Sequence, residues 1–237
     1  SYGMDWSAIS PTIFGMVFES TLSSKVRHQG GMHYTSLENI HKILDNLFLN
    51  DLRAELDEIK GISTRKKDGS RNTASLNAKN ARLDAFRQKL SKIHILDPAA
   101  GSGNFLTESY LSLRRLENEA IAARYKNEMF LGEMENPIQV NIDQLHGIEI
   151  NDFAVAVAKT ALWIAEAQMY EETRALVSID EEFLPLHSNS NMMEGNALQM
   201  DWNTVCQKDK LTYIIGNPPF VGARLKTTEQ KNDLISV

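Results

Sequence analysis

The chain has 237 residues and a mass of 26.7 kDa, room for one large α/β domain or two small ones. Its 42% hydrophobic and 24% charged residues exclude wholesale disorder, and 13 Gly and 6 Pro exclude collagen-like or low-complexity character. A single cysteine, Cys206, excludes a disulfide framework and a Cys-rich zinc site, and the longest apolar run, Phe153 to Ala158, falls far short of the roughly 20 residues of a membrane span.

The lone cysteine fits a reducing, cytoplasmic setting, and no secretory leader is visible. A first residue other than Met and an end without a stop signal point to a piece of a longer protein. The net charge of −6 is uneven: residues 1–90 carry 13 Lys and Arg against 10 Asp and Glu, and the remainder 12 against 21. Within the first part, Lys60 to Lys92 holds ten basic residues against Asp68 and Asp84. That run reads either as a phosphate-facing patch or as a solvated loop and helix face.

The first 90 residues read as helical. Pro11 to Ser20 places Ile13, Phe14, Val17 and Phe18 at helical spacing. Thr35 with Glu38 predicts a capping box, followed by the apolar face Ile40, Ile43, Leu44, Leu47 and Phe48 to about Leu56. Gly61 to Asn80 reads as a polar, basic loop, and Ala81 to Leu90 as one more short helix. The period then changes. Ile93 to Leu96 predicts a buried strand, and the pattern from Asn104 to about Ala123 a helix. The alternation of Ile138, Val140 and Ile142 predicts a short extra strand. Leu145 to Ile150 reads as a second core strand, and Asn151 or Asp152 as the cap of an apolar helix to about Tyr170. A third strand near Asn191 to Glu194 and a fourth at Leu211 to Ile215 complete the pattern. Strand–helix alternation of this kind implies α/β architecture with a parallel, doubly wound sheet.

Three constellations carry chemistry. Asp97-Pro98-Ala99-Ala100-Gly101-Ser102-Gly103-Asn104-Phe105 sits where a strand ends and a helix begins, the place where open α/β sheets bind ligands. Leu106 stands where a dinucleotide loop wants a third glycine, and the Gly-Lys-Ser/Thr ending of a phosphate loop is absent. The acid ahead of the glycines favours a cationic or hydroxylated ligand; a bare structural turn is the alternative. Glu149, in Gly147-Ile148-Glu149-Ile150 at the end of the next strand, suits a ribose diol, against the alternative of a simple cap. Asn217-Pro218-Pro219-Phe220 offers the Asn217 side-chain oxygen and the Pro218 carbonyl beside an aromatic ring. Two acceptors there make a receptor for a planar NH2 group, a rigid turn being the plain alternative. The six His show no metal-ligand spacing, Cys206 lies outside every motif, and no metal site is expected.

This set resembles a class I S-adenosylmethionine-dependent methyltransferase of the DNA adenine-N6 type, over most of residues 28 to 224. The resemblance includes Gly30-Gly31-Met32-His33-Tyr34-Thr35-Ser36, similar to that family's N-terminal cofactor motif. The wording of Met4 to Gly15, of Ala161-Leu162-Trp163 and of Gly195-Asn196-Ala197-Leu198 is similar to the large single-chain Type IIG/IIL restriction–modification enzymes and related phage-defence methyltransferases. The resemblance implies S-adenosylmethionine as cofactor, with Tyr34, Thr35, Asp97, Ala99, Gly101, Gly103 and Phe105 at its methionine end. It implies Glu149 on the ribose, Ile150 on the adenine face and Asn196 on the adenine edge, although many members have Asp at that last position. It implies Asn217, Pro218, Pro219 and Phe220 as the catalytic set, holding the N6 amine of an adenine flipped out of duplex DNA, with Phe220 stacked on the base.

The fold so implied is an N-terminal helical region, residues 1–90 with its cofactor motif at 30–36, and the first part of a Rossmann-like methyltransferase domain, residues 91–237. Its strand order would be 3-2-1-4, with later strands missing. The expected setting is the bacterial cytoplasm at the nucleoid, with double-stranded DNA as partner and no membrane. The fourth strand is apolar on both faces, so its edge is expected to pair with another copy or be covered by terminal residues. A sequence-recognition domain is expected beyond the last residue, and any nuclease before the first. Rival readings keep the Asn-Pro-Pro chemistry for a protein glutamine or an RNA guanine N2, or make the chain a non-catalytic cofactor-binding module.

Overall fold

The structure, a computed structural model, describes residues 10–21, 35–125, 136–177 and 191–218, together with 228, 231 and 233. Helix α1 (Pro11–Thr21) starts with Pro, whose missing N–H costs nothing in the first turn, and Ser10 Oγ accepts the Ile13 N–H at 3.3 Å. Helix α2 (Leu37–Leu44) is capped by Ser36, whose side chain accepts from Asn39 N at 3.4 Å. The predicted Thr35–Glu38 box is therefore displaced by one residue. Glu38 turns instead to Lys42, 2.7 Å away on the next turn.

Helix α2 passes through a π-helical turn (Asp45–Leu49) into α3 (Asn50–Gly61). The extra residue of that turn lets both Phe48 and Leu49 reach the core, and Leu52, Leu56 and Ile59 continue the buried face past the predicted end at Leu56. The loop predicted to run to Asn80 stops at Asn72. A tight turn at Gly69 (φ +85°), with Arg65 bridged to Arg71, leads into α4 (Thr73–Leu90). Asn72 caps this helix by accepting from Ser75 N at 3.2 Å, and Leu83, Phe86 and Leu90 anchor it. Much of the basic run faces neighbouring acids: Lys60 meets Glu119 at 2.8 Å, Arg82 meets Glu58 at 2.9 Å, and Lys89 meets Glu55 at 2.6 Å. The solvated reading of that stretch therefore holds for these residues.

Strands β1 (His94–Asp97), β2 (Leu145–Glu149), β3 (Met192–Glu194) and β4 (Leu211–Ile214) form one parallel sheet in the order β3-β2-β1-β4. This is the α/β fold and strand order expected. Helices α5 (Asn104–Tyr125) and α6 (Asp152–Leu176) connect β1 to β2 and β2 to β3, and pack on one face over Ile95 and Leu145. Asn151 caps α6 by accepting from Ala154 N at 3.0 Å. On the other face Leu96 and Ile148 are covered by Val205, Met200 and Trp202 from the connection into β4.

The extra strand predicted at Ile138, Val140 and Ile142 does not form. Glu117, fully buried on α5, accepts from the backbone N–H groups of Gln139 (2.7 Å) and Val140 (3.2 Å), so they are not available to a sheet ladder. Ile142 begins a 3₁₀ turn (Ile142–Gln144). The same carboxylate pairs with buried Arg114, which donates to Thr173 Oγ1 at 2.6 Å. Thr173 lies beyond the predicted end of α6 at Tyr170, and this contact is one reason the helix continues.

Candidate functional site

Parallel pairing puts the carboxyl ends of β1, β2 and β4 side by side. Leu96 is in register with Ile214, and Ile215 N donates to the Leu96 carbonyl at 2.9 Å. Gly216 consequently lies flush against Asp97, and a Cβ there would overlap Asp97 Oδ1. Asn217 follows at once. The glycine bend and the start of the asparagine–proline segment thus lie at the same, carboxyl end of the sheet.

The bend is built by positive φ at Gly101 (+54°) and Gly103 (+79°). Gly103 is also pressed on α6, where a Cβ would stand 2.8 Å from that of Ala158. Helix α1 closes over the bend: a Cβ on Gly15 would lie 3.0 Å from Ser102 Oγ and 3.1 Å from Asn104 Oδ1. Buried Glu108 holds that helix through Thr12 Oγ1, and His41 Nε2 lies 3.4 Å from its other oxygen. Sequence reasoning missed Glu108 because nothing in the helical pattern around it signals that it will face Thr12 and His41 from distant helices.

Asp97 is 1% exposed and accepts from Ala99 N at 3.0 Å. Burial, with the nearby Glu149 charge adding to it, pushes its carboxyl up to about 7. Glu149 is buried too, and its two oxygens take the N–H groups of Gly101 (2.8 Å) and Asn151 (3.0 Å). It ties the glycine bend to the start of α6, so the cap reading and the ligand reading share one side chain. Phe105 is buried beneath the bend, whereas Ile150, the next residue after Glu149, is 62% exposed and leaves an apolar platform at the strand end.

Thr35 lies at Asn217. Its hydroxyl accepts from Asn217 Nδ2 at 3.2 Å, joining the N-terminal motif to the asparagine–proline segment. Asn217 and Pro218 are exposed. Asn196, just past β3, donates from Nδ2 to Asp233 at 2.9 Å, and its Oδ1 accepts from Leu198 N at 3.0 Å. Its amide is thus already engaged on both sides. Tyr34, Pro219 and Phe220 lie outside the described residues.

A parallel sheet in the order 3-2-1-4, with a glycine bend, a buried acid on the next strand and an asparagine–proline segment at one end, is an α/β domain of the class that methyltransferases share. Residues 72–237 match the family described as "MmeI, DNA-methyltransferase domain", and the chain belongs to that family. It is 36% identical over 239 aligned residues to DNA methyltransferase A of Bacillus subtilis (strain 168), covering 99% of this chain and 25% of that protein. Over 96 residues it is 28% identical to "Adenine-specific methyltransferase PglX" of Streptomyces coelicolor, covering 40% of this chain and 7% of that protein. Among solved structures, the Type IIL restriction–modification enzyme MmeI in complex with DNA matches with a TM-score of 0.84 and 38% identity, over 99% of this chain and 29% of that one. The chain thus spans only about a quarter of the length of DNA methyltransferase A and of the solved MmeI chain. Among the described residues no helix is long and apolar enough to cross a membrane.

Proposed function

We propose that the chain forms the cofactor and amine pockets of a restriction–modification DNA methyltransferase that transfers a methyl group from S-adenosylmethionine to adenine N6 of duplex DNA after base flipping. The observation that carries this reading is the meeting of Thr35, Asn217, Gly216 and Asp97 at one end of the sheet.

The residues present fit that cofactor. Asp97 is a buried acid beside a backbone with no Cβ in the way, a setting that a ligand ammonium would relieve. Thr35, Ala99, Gly101, Gly103 and Phe105, with Tyr34 from outside the described residues, would surround the methionine end, Glu149 would meet the ribose and Ile150 the adenine, which Asn196 would reach on giving up its bond to Asp233 or Leu198. When bound, S-adenosylmethionine supplies an electrophilic methyl group on a sulfonium.

The chain's own contribution is orientation. With Nδ2 given to Thr35, Asn217 presents Oδ1 to one N–H of the incoming amine, and the Pro218 carbonyl takes the other. Accepting both N–H bonds draws the nitrogen toward tetrahedral geometry and aims its lone pair. No strong base is needed beforehand, because the amine becomes acidic only as the new bond forms. Pro219 would stiffen this asparagine–proline hook and Phe220 would stack on the extruded base, roles that rest on the motif because both lie outside the described residues.

The test uses the full-length protein and cofactor carrying a labelled methyl group, offered duplex DNA, RNA and protein in parallel. Label in duplex DNA as N6-methyladenine is expected. Asn217→Ala should abolish transfer while cofactor affinity by calorimetry stays near wild type. Label in protein or RNA alone, or equal losses of binding and turnover in the variant, would overturn the assignment.

A further inference from the structure

At the opposite end of the strands, three potential ligands converge that no sequence spacing links. His94 opens β1, His146 lies near the start of β2, and Cys206 comes from the connection between β3 and β4. One ligand atom from each lies within 4.8 Å of the others. We infer that His94, His146 and Cys206 form a binding site for a zinc-class divalent ion.

The geometry suits such an ion. His94 Nδ1 and His146 Nε2 are 3.1 Å apart, close to the roughly 3.4 Å between two ligand nitrogens of a tetrahedral zinc with bonds of about 2.0–2.1 Å. The ring centroids are 5.4 Å apart, so the two nitrogens lie between the rings and each ring turns its nitrogen toward the other. Imidazole and thiolate are the donors that zinc selects over magnesium or calcium. His146 and Cys206 are buried and His94 is half-buried, which leaves a route in from the β1 side.

A hydrogen bond between the two imidazoles, donated by His94 Nδ1 and accepted by His146 Nε2, is the alternative occupant of that gap. Either arrangement leaves the proton on His146 Nδ1, which is buried beside the Val205 carbonyl. An ion on Nε2 fixes the proton on Nδ1, where that carbonyl can receive it, the usual support behind a metal-bound histidine. An ion there would fasten the connection after β3 to β1 and β2, at the far end of the sheet from the glycine bend.

Cys206 is the chain's one cysteine, so a thiolate-to-cobalt charge-transfer band reports on it alone. Cobalt(II) titrated into the metal-free chain should give that band with tetrahedral d–d absorption, saturating at one equivalent, and zinc(II) should bleach both. Cys206→Ser should lose the charge-transfer band. His94→Gln and His146→Gln should each lose the one-equivalent endpoint, with the far-ultraviolet circular dichroism of each variant checking the fold. Zinc should raise the melting temperature of the wild type and not of His94→Gln, the mildest of the three changes. Absence of the band at saturating cobalt, or a band undiminished in both histidine variants, would overturn the site.

Discussion

Asp97 carries a conflict between burial and charge. Its folded value of about 7 lies above the 3.8 of a free aspartate, so between about pH 4 and 7 the folded chain holds a proton that the unfolded chain has lost. Stability should therefore fall as pH rises through that window and level off above it, by about 4 kcal/mol for this group. Urea unfolding of the wild type and Asp97→Asn at several pH values checks this, and the variant should lose most of the slope. A ligand cation at the carboxylate reverses the conflict, so cofactor binding should release a proton below pH 7, seen by calorimetry in buffers of different ionisation enthalpy. Glycines make a second contrast at this scale. Gly103→Ala puts a Cβ at positive φ and 2.8 Å from Ala158, and should cost about 2 kcal/mol or more. Gly61, helical and with nothing within 4 Å of a new Cβ, should gain about 0.5 kcal/mol as Ala. Denaturant titrations of the pair measure both signs.

Among the elements, the junction of α5 with α6 depends on Glu117. Burial pushes its carboxyl up while Arg114 pulls it down, and Arg114 is itself fully buried. Glu117→Ala would strand that guanidinium and two backbone N–H groups at once. A loss of about 3–5 kcal/mol is expected, visible as a large drop in melting temperature. The same carboxylate explains what was hidden from the sequence. Apolar alternation at Ile138, Val140 and Ile142 reads as a strand because periodicity registers which side chains are buried and not where the N–H groups go. Strands β1 to β4 and helices α5 and α6 were legible because their apolar periods agree with their hydrogen bonding. The glycine bend, Glu149 and Asn217 were legible because a strand end fixes where such residues point. The Ser36 cap was misplaced by one residue because Thr35 and Ser36 are equally good caps, and only the contact to Asn217 decides between them. His94, His146 and Cys206 left no local signal, since three separate elements deliver them.

For the molecule as a whole, β4 decides what the sheet can join. Among the described residues it is paired on one side only, and Ile214 is 54% exposed. An apolar edge of this kind recruits another strand. Self-association of the isolated chain is the expected outcome, with Ile214→Lys shifting sedimentation toward monomer; an unchanged profile would show that the edge is covered by other means.

The bond from Asn217 to Thr35 spans 182 positions. During synthesis the ribosome releases Thr35 and the glycine bend long before the residue that must close against them. A nascent chain stalled ahead of Asn217 therefore has the bend without the hook. On the proposed function, such a chain would have no means of presenting an amine to whatever ligand it can hold, and would stay chemically silent until almost the whole of this stretch has been made.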